Sequence, residues 1–341
     1  IVDNVGTHLT GEVQCGNGDG RTVGSVGGDN CLSYYKSAMT EADFATAPVA
    51  VDQTPNDSLW IEGYTAYMQL KLSAGNVAHY GGRILFINHF LAHASLFNDT
   101  KISRLVLLMP HQLISRFIRD NTWHRSVLQI VGEPMAVRNL DSLADLPPTE
   151  PGVFVVPETA DRVKPVCFRQ AVLPGFLKAR FFIPDSEIDG APLDARGPPL
   201  EPSSAHLFRS KLYRFLDIAE PKPKRKIVYM KRKRRREFSH DSEEAMQKLL
   251  SSLCERHQFE LVVPDFDVMT FKEQALSMHD ASVAVGLHGA NIVNAIMMPA
   301  RAALVEIFPY MFTHDMYVDG ASSGLWYANY TIVAGEEFSG L

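Results

Sequence analysis

From residue 203 to residue 308 the chain alternates between two hydrophobic periods, and this alternation limits the fold more than any other feature. SSAHLFRSKLYRFLDIA (203–219) places Leu207, Leu212, Phe215 and Leu216 at helical spacing, and IVYM (227–230) reads as a strand. Asp241 and Glu244 form a capping-box-like start, and Met246, Leu249, Leu250 and Leu253 give the helix that follows one apolar face. FELVVPDF (259–266) is the next strand; Thr270 and Glu273 form the capping box of a helix ending near His279. ASVAVGLHG (281–289), NIVNAIMM (291–298) and AALVEIF (302–308) then read as strand, helix and strand. Strands alternating with helices in this way predict a parallel, doubly wound α/β sheet, a Rossmann-like unit.

The first half is less periodic. Residues 1–50 are rich in Gly, Asn, Asp and Ser and read as loop with short strands. RILFINHF (83–90) reads as a strand running into HFLAHASLF, and RLVLLMP (104–110) and VFVVP (153–157) are short apolar runs of buried-strand type. Residues 185–204, dense in Pro, Gly and acids, read as a linker or surface loop. A chain of 341 residues with 46% apolar content favours two domains. The expected division is 1–200, with 1–80 irregular, and 201–341.

Net charge is −6, but the charge is unevenly placed. Residues 222–236 hold ten of the 33 basic residues and no acid, leaving 23 basic against 39 acidic residues elsewhere. One basic island on an acidic chain argues for a single local anionic ligand. The four cysteines, Cys15, Cys31, Cys167 and Cys254, form no CxxC pair, which argues against a zinc ribbon. Sequons at Asn56, Asn98 and Asn329 are compatible with a secretory route. No apolar run approaches the roughly 18 residues of a membrane span. The chain starts at Ile without a signal peptide, and the expectation is that an N-terminal anchor precedes it.

VGLHGANIVNAIMMP (285–299) breaks a buried strand with His-Gly and starts a helix at once. At the carboxyl end of a parallel strand, glycines admit a close backbone approach, and unpaired helix N–H groups suit a phosphate. Gly286, His288, Gly289, Ala290 and Asn291 thus read as a nucleotide-diphosphate turn; spacing alone leaves open a tight turn with a capped histidine. KRKRRR (231–236) follows a strand of the same sheet, and arginine forks there would match phosphate oxygens. A nucleic-acid patch is the competing reading, but the run is tied to a strand and holds only Tyr229 as an aromatic, too little for base stacking. Nucleic acid is therefore not an expected partner.

VYMKRKRRREF (228–238) and ASVAVGLHGANIVNAIMMPARAALVEIFP (281–309) resemble glycosyltransferase family 61, eukaryotic secretory-pathway enzymes. PVCFRQAVLPGFLKARFF (165–182) and, more loosely, RILFINHFLAH (83–93) resemble further segments of that family. The resemblance implies a GT-B fold, two Rossmann-like domains facing a cleft, with the donor held by the C-terminal one. It implies that Arg232, Arg235 and Arg236 face the donor diphosphate, that His288, Gly289 and Ala290 form the phosphate turn, and that Glu306 binds the ribose. Such enzymes invert the anomeric centre in one displacement, without a metal cofactor, using a UDP-sugar donor and a glycan or glycoprotein acceptor.

The base is expected from the N-terminal domain, at His89 or His93, which share a helical face at i, i+4. Relatives often carry an acid near the position of His93, so the chain departs from the family there. A zinc HxxxH reading of the pair lacks a third ligand nearby. The nearest acidic triplet for a metal, Asp265-Phe266-Asp267, is outweighed by the basic island. Cys167 matches a family cysteine and is expected in a structural disulfide, with Cys254 as its partner. The 308–333 tail most resembles the N-acetylglucosaminyl branch. UDP-N-acetylglucosamine is the favoured donor, UDP-xylose the alternative, and a non-catalytic nucleotide-sugar binder the reading from a different class. The expected location is the Golgi or endoplasmic-reticulum lumen, as part of a type II membrane protein.

Overall fold

The computed structural model describes residues 8–9, 30–32, 58–70, 75–92, 102–157, 166–172, 202–233, 237–309 and 324–332. The first sheet gathers β1 (His8–Leu9), β2 (Asn30–Leu32), β3 (Leu59–Gln69), β4 (Arg104–Met109), β5 (Val137–Asn139), β6 (Gly152–Pro157) and β7 (Val166–Val172). Its order is β1-β7-β3-β4-β6-β5, with β2 also on β7. The pairs β7–β3, β3–β4, β4–β6 and β6–β5 are parallel, and only β1 and β2 run antiparallel, both against β7. Strands buried on both faces lose their alternation, which is why β4 reads as the unbroken run RLVLLM and is buried at every position.

Around this sheet lie α1 (Val77–Ala92), α2 (His111–Ile118) and α3 (Trp123–Gly132). Residues 83–90, expected as a strand, belong to α1. The helix opens where Asn76 Oδ1 accepts from the Ala78 N–H at 2.9 Å, and it buries Tyr80, Ile84, Ile87 and Asn88 at turn-by-turn spacing. The short apolar run Ile84–Ile87 fits either element, and here the cap and the sixteen-residue length decide for helix.

Residues 1–80, expected as irregular, contain β3, an eleven-residue strand in the middle of the sheet. Its pattern is broken at Glu62-Gly63, where the β3–β7 register shifts and Gly63 takes φ +77°. The bulge turns the Glu62 backbone toward Arg104, the largest fully buried side chain among the described residues. Arg104 donates from Nη1 to Glu62 O at 2.8 Å and Thr65 Oγ1 at 3.2 Å, and from Nη2 to Glu150 O at 2.8 Å and Pro148 O at 3.3 Å. Burial lowers the pKa of this guanidinium, and its bed of carbonyls keeps the charge tolerable.

The second half follows the expected alternation: α4 (Pro202–Leu216), β8 (Lys224–Met230), α5 (His240–His257), β9 (Glu260–Val262), α6 (Phe271–Met278), β10 (Ala281–Leu287), a 3-10 helix (Ala290–Met297), β11 (Ala303–Phe308) and β12 (Trp326–Thr331). The strands lie in the order β12-β11-β10-β8-β9, every pair parallel. The capping box at Thr270 forms in both directions. That of α5 does not: Ser239 caps it, accepting from Ser242 N–H at 3.2 Å, because its hydroxyl stands one residue before the first turn. The helix expected after His288 is present but wound as 3-10, and the linker expected over 185–204 ends in α4, with 185–201 outside the described residues.

Both sheets pack on one shared helical layer. A single apolar core joins Tyr80, Ile84, Trp123 and Val131 of the first half to Phe208 and Leu212 of α4 and to Ile292, Val293 and Ile296 of the 3-10 helix. Polar ties cross the same layer. Trp123 Nε1 donates to Asn294 Oδ1 at 2.8 Å, Asn294 Nδ2 to Gln274 Oε1 at 3.2 Å, and Gln274 Nε2 to the carbonyls of Phe266 and Met269. Lys211 Nζ donates to Val131 O at 2.9 Å and Arg209 Nε to Ile296 O at 2.9 Å.

The expected pairing of Cys167 with Cys254 does not occur. Cys254 is a free, buried thiol on α5, in the second half of the chain. Cys167 lies in β7 of the first sheet and is disulfide-bonded, and its register partner across the strand pair is Cys31 of β2.

Candidate functional site

In the second sheet the carboxyl ends of β8 and β10 are adjacent, so the sequences that follow them, Lys231–Lys233 and His288–Asn291, meet. Arg232 Nη1 donates to the His288 carbonyl oxygen, which lays the guanidinium across the turn. Gly289 is extended, with φ 169°, so the turn does not need glycine for its backbone angles. It needs glycine for room: a Cβ there would fall inside the Arg232 guanidinium. Gly286 has a different reason. Its Cβ would press on Ile292 Cδ1 at 3.0 Å and Met230 Cβ at 3.1 Å, so it lets the 3-10 helix lie close to β8 and is a packing glycine.

Gly289 is the N-cap of the 3-10 helix and gives it no side-chain cap. Ile292 N–H donates to Gly289 O at 3.1 Å. The opening N–H groups at Ala290 and Asn291, both half-buried, therefore lie beside a cation, an arrangement chemically suited to an anion.

His288 is fixed from several directions by β11. Its backbone N–H donates to Ile307 O at 2.7 Å, its ring stacks on Phe308 at 5.4 Å between centroids, and Nδ1 lies 2.6 Å from Glu306 Oε1. Glu306 is fully buried, and its Oε2 accepts from the Tyr327 hydroxyl at 2.6 Å. A carboxylate only accepts, so Nδ1 carries the histidine proton and Nε2 is the remaining ring nitrogen. Tyr327 and Phe308 were not singled out in the sequence. VEIFP held a local signal for Phe308; nothing near Tyr327 marked it.

Most described cations of the basic segment are paired within the second half. Lys224 and Lys226 both reach Asp280, Lys231 Nζ lies 3.5 Å from Glu243 Oε1, and Lys233 pairs with Asp265. Burial pushes the Asp280 carboxyl up, but the two lysines more than reverse this and hold it below the ordinary aspartate range. The hydrogen bond from Lys233 likewise keeps Asp265 low, and Asp265 accepts from the Asp267 N–H, so the acidic triplet is tied into the basic segment. Arg232 alone of the described run is seen to reach the turn. Arg235, Arg236 and His93 lie outside the described residues. His89 lies on α1, its side chain likewise outside them.

Residues 137–305 match the model of the family described as Glycosyltransferase 61. The matched segment is the part of the chain that is similar to that family. It contains Arg232, His288, Gly289, Ala290 and Asn291 and ends one residue before Glu306. The glycosyltransferase 61 match is joined by curated relatives named Protein O-linked-mannose beta-1,4-N-acetylglucosaminyltransferase 2. Those of Bos taurus and Mus musculus are 35% identical over 69 residues, and that of Homo sapiens 33% identical over 69 residues. These alignments cover 20% of this chain and 12% of the relatives' own length.

Proposed function

We propose that the chain is a glycosyltransferase that takes a sugar from a uridine diphosphate donor and passes it to a hydroxyl of a glycan or glycoprotein. The observation that carries this reading is the convergence of the Arg232 guanidinium and the uncapped 290–297 N-terminus on the Gly289 turn, inside the matched family segment. Leaving-group charge is what such a site stabilises: diphosphate oxygens take hydrogen bonds from Arg232, Arg235 and Arg236 and from the turn's N–H groups. In the proposed mechanism the acceptor hydroxyl gives its proton to His89 or His93, its oxygen bonds to the anomeric carbon, and the bond to the diphosphate breaks in the same step with inversion. The fold is then of GT-B type, with Rossmann-like halves 1–200 and 201–341, and the arginines supply the charge compensation a metal would give. The relatives' printed name favours N-acetylglucosamine as the donor sugar and O-linked mannose as the acceptor. Cys31 facing a bonded Cys167 favours an oxidising secretory lumen and a Cys31–Cys167 bridge.

A thermal-shift titration in EDTA tests the donor site, using uridine diphosphate, its N-acetylglucosamine and xylose conjugates, and guanosine diphosphate. Saturable stabilisation by the uridine compounds is expected. Arg232→Ala should weaken it on the order of tenfold, the scale of one lost charge-assisted hydrogen bond. Absence of a shift with every nucleotide overturns the reading.

A further inference from the structure

Four neighbouring strands of the second sheet, in the order β12-β11-β10-β8, each contribute one residue to a continuous hydrogen-bonded string. Tyr327 of β12 donates to Glu306 of β11, Glu306 accepts from His288 just past β10, and the His288 carbonyl accepts from Arg232 just past β8. The string runs across the sheet and ends at the guanidinium that fills the space beside Gly289.

We infer that Glu306 and Tyr327 are positioning residues that hold His288, and through the His288 carbonyl Arg232, so that the diphosphate seat is arranged before the ligand arrives. The inference rests on the donor-site reading above and replaces a ribose contact for Glu306 with a different role. A carboxylate that grips two ribose hydroxyls must present its oxygens to the ligand. Both Glu306 oxygens are engaged at 2.6 Å, the residue is 0% exposed, and its strand lies between β10 and β12. Freeing one oxygen for a sugar would break the bond from buried His288 or that from half-buried Tyr327. The two bonds also fix the ring chemically. Ionised Glu306 selects the Nδ1–H form of His288, while Phe308 and the Ile307 carbonyl hold its plane and backbone. Tyr327 supplies a donor to the second Glu306 oxygen, so both oxygens of this buried side chain are hydrogen-bonded.

The two roles separate on a probe that has no ribose. Uridine diphosphate and inorganic pyrophosphate are titrated calorimetrically into the full chain and into Glu306→Gln and Tyr327→Phe, with melting temperatures as the folding control. A positioning role weakens both probes by the same factor, about tenfold for Glu306→Gln by analogy with lost partners of ligating histidines, and by a smaller shared factor for Tyr327→Phe. Loss of uridine diphosphate affinity with pyrophosphate unchanged would mean that Glu306 touches the ribose, and unchanged affinity for both would leave the string without a role at the seat; either result overturns the inference. A ligand-free arm keeps its failure distinct from that of the donor-site reading. In 15N-histidine-labelled chain, two-bond nitrogen–proton spectra should show His288 as the Nδ1–H tautomer and lose that form in Glu306→Gln. A wild-type chain that binds neither probe while showing this tautomer refutes the donor site and the seat but upholds the hydrogen bond. The Nε2–H tautomer in the wild type refutes the string itself.

Discussion

Arg104 and Gly289 show how much a single side chain, or its absence, arranges here. Arg104 satisfies carbonyls from β3 and from the 148–150 loop at once, and no shorter side chain reaches all of them. Arg104→Ala should lower unfolding free energy by about 3 kcal/mol, since several buried acceptors lose a charged donor together; urea titration measures it. Gly63→Ala should cost about 1–2 kcal/mol because φ +77° is the left-handed region, and the added Cβ would also lie 3.2 Å from Ser103 Oγ. Gly289→Ala should behave differently. Its backbone angle suits alanine, so stability is expected to change little while Arg232 is displaced and uridine diphosphate binding falls. Calorimetry beside a melting curve checks that split.

At the scale of elements, β8 and β10 are pinned at their amino ends by Asp280, which lies between Lys224 and buried Lys226. The folded state holds this carboxyl below its ordinary range, so its contribution is complete above the ordinary aspartate value and is lost as pH falls through the lower, folded value. Asp280→Asn should therefore destabilise the chain by about 3 kcal/mol at neutral pH, leaving Lys226 buried and unpaired. The gap to wild type should narrow in acid, measured by urea midpoints at the two pH values. The elements most legible in the sequence were those governed by local rules. β4, β6, β10 and β11 announce themselves as short, mostly apolar runs, and Thr270 with Glu273 marks α6 by a cap that needs no tertiary context. β3 was hidden by its bulge, and the apolar run Ile84–Ile87 inside α1 fits a strand as well as a helix. The site divides in the same way. Arg232, His288 and Gly289 sit in short motifs, whereas the bond from Tyr327 to Glu306 spans 21 residues of sequence and no local pattern encodes it.

Across the whole molecule the shared helical layer matters most. Trp123 of the first half and Asn294 of the second meet in its interior, and Gln274 continues the chain of hydrogen bonds to α6. An apolar interface of this kind couples the two sheets, so thermal unfolding should show one transition, with calorimetric and van't Hoff enthalpies equal. Trp123→Phe should lower the midpoint while keeping the transition single, through the loss of about 1–3 kcal/mol as Asn294 Oδ1 is left without its buried donor. Two separated transitions would show that the layer does not bind the sheets together. The same layer also bears on modular engineering. A second half lifted at residue 202 and grafted onto a foreign first half would carry Ile292, Val293 and Ile296 on a bare face. Such a chimera should aggregate unless the surfaces of α1 and α3 travel with it, so re-engineering this scaffold calls for substitutions within one chain, not exchange of halves.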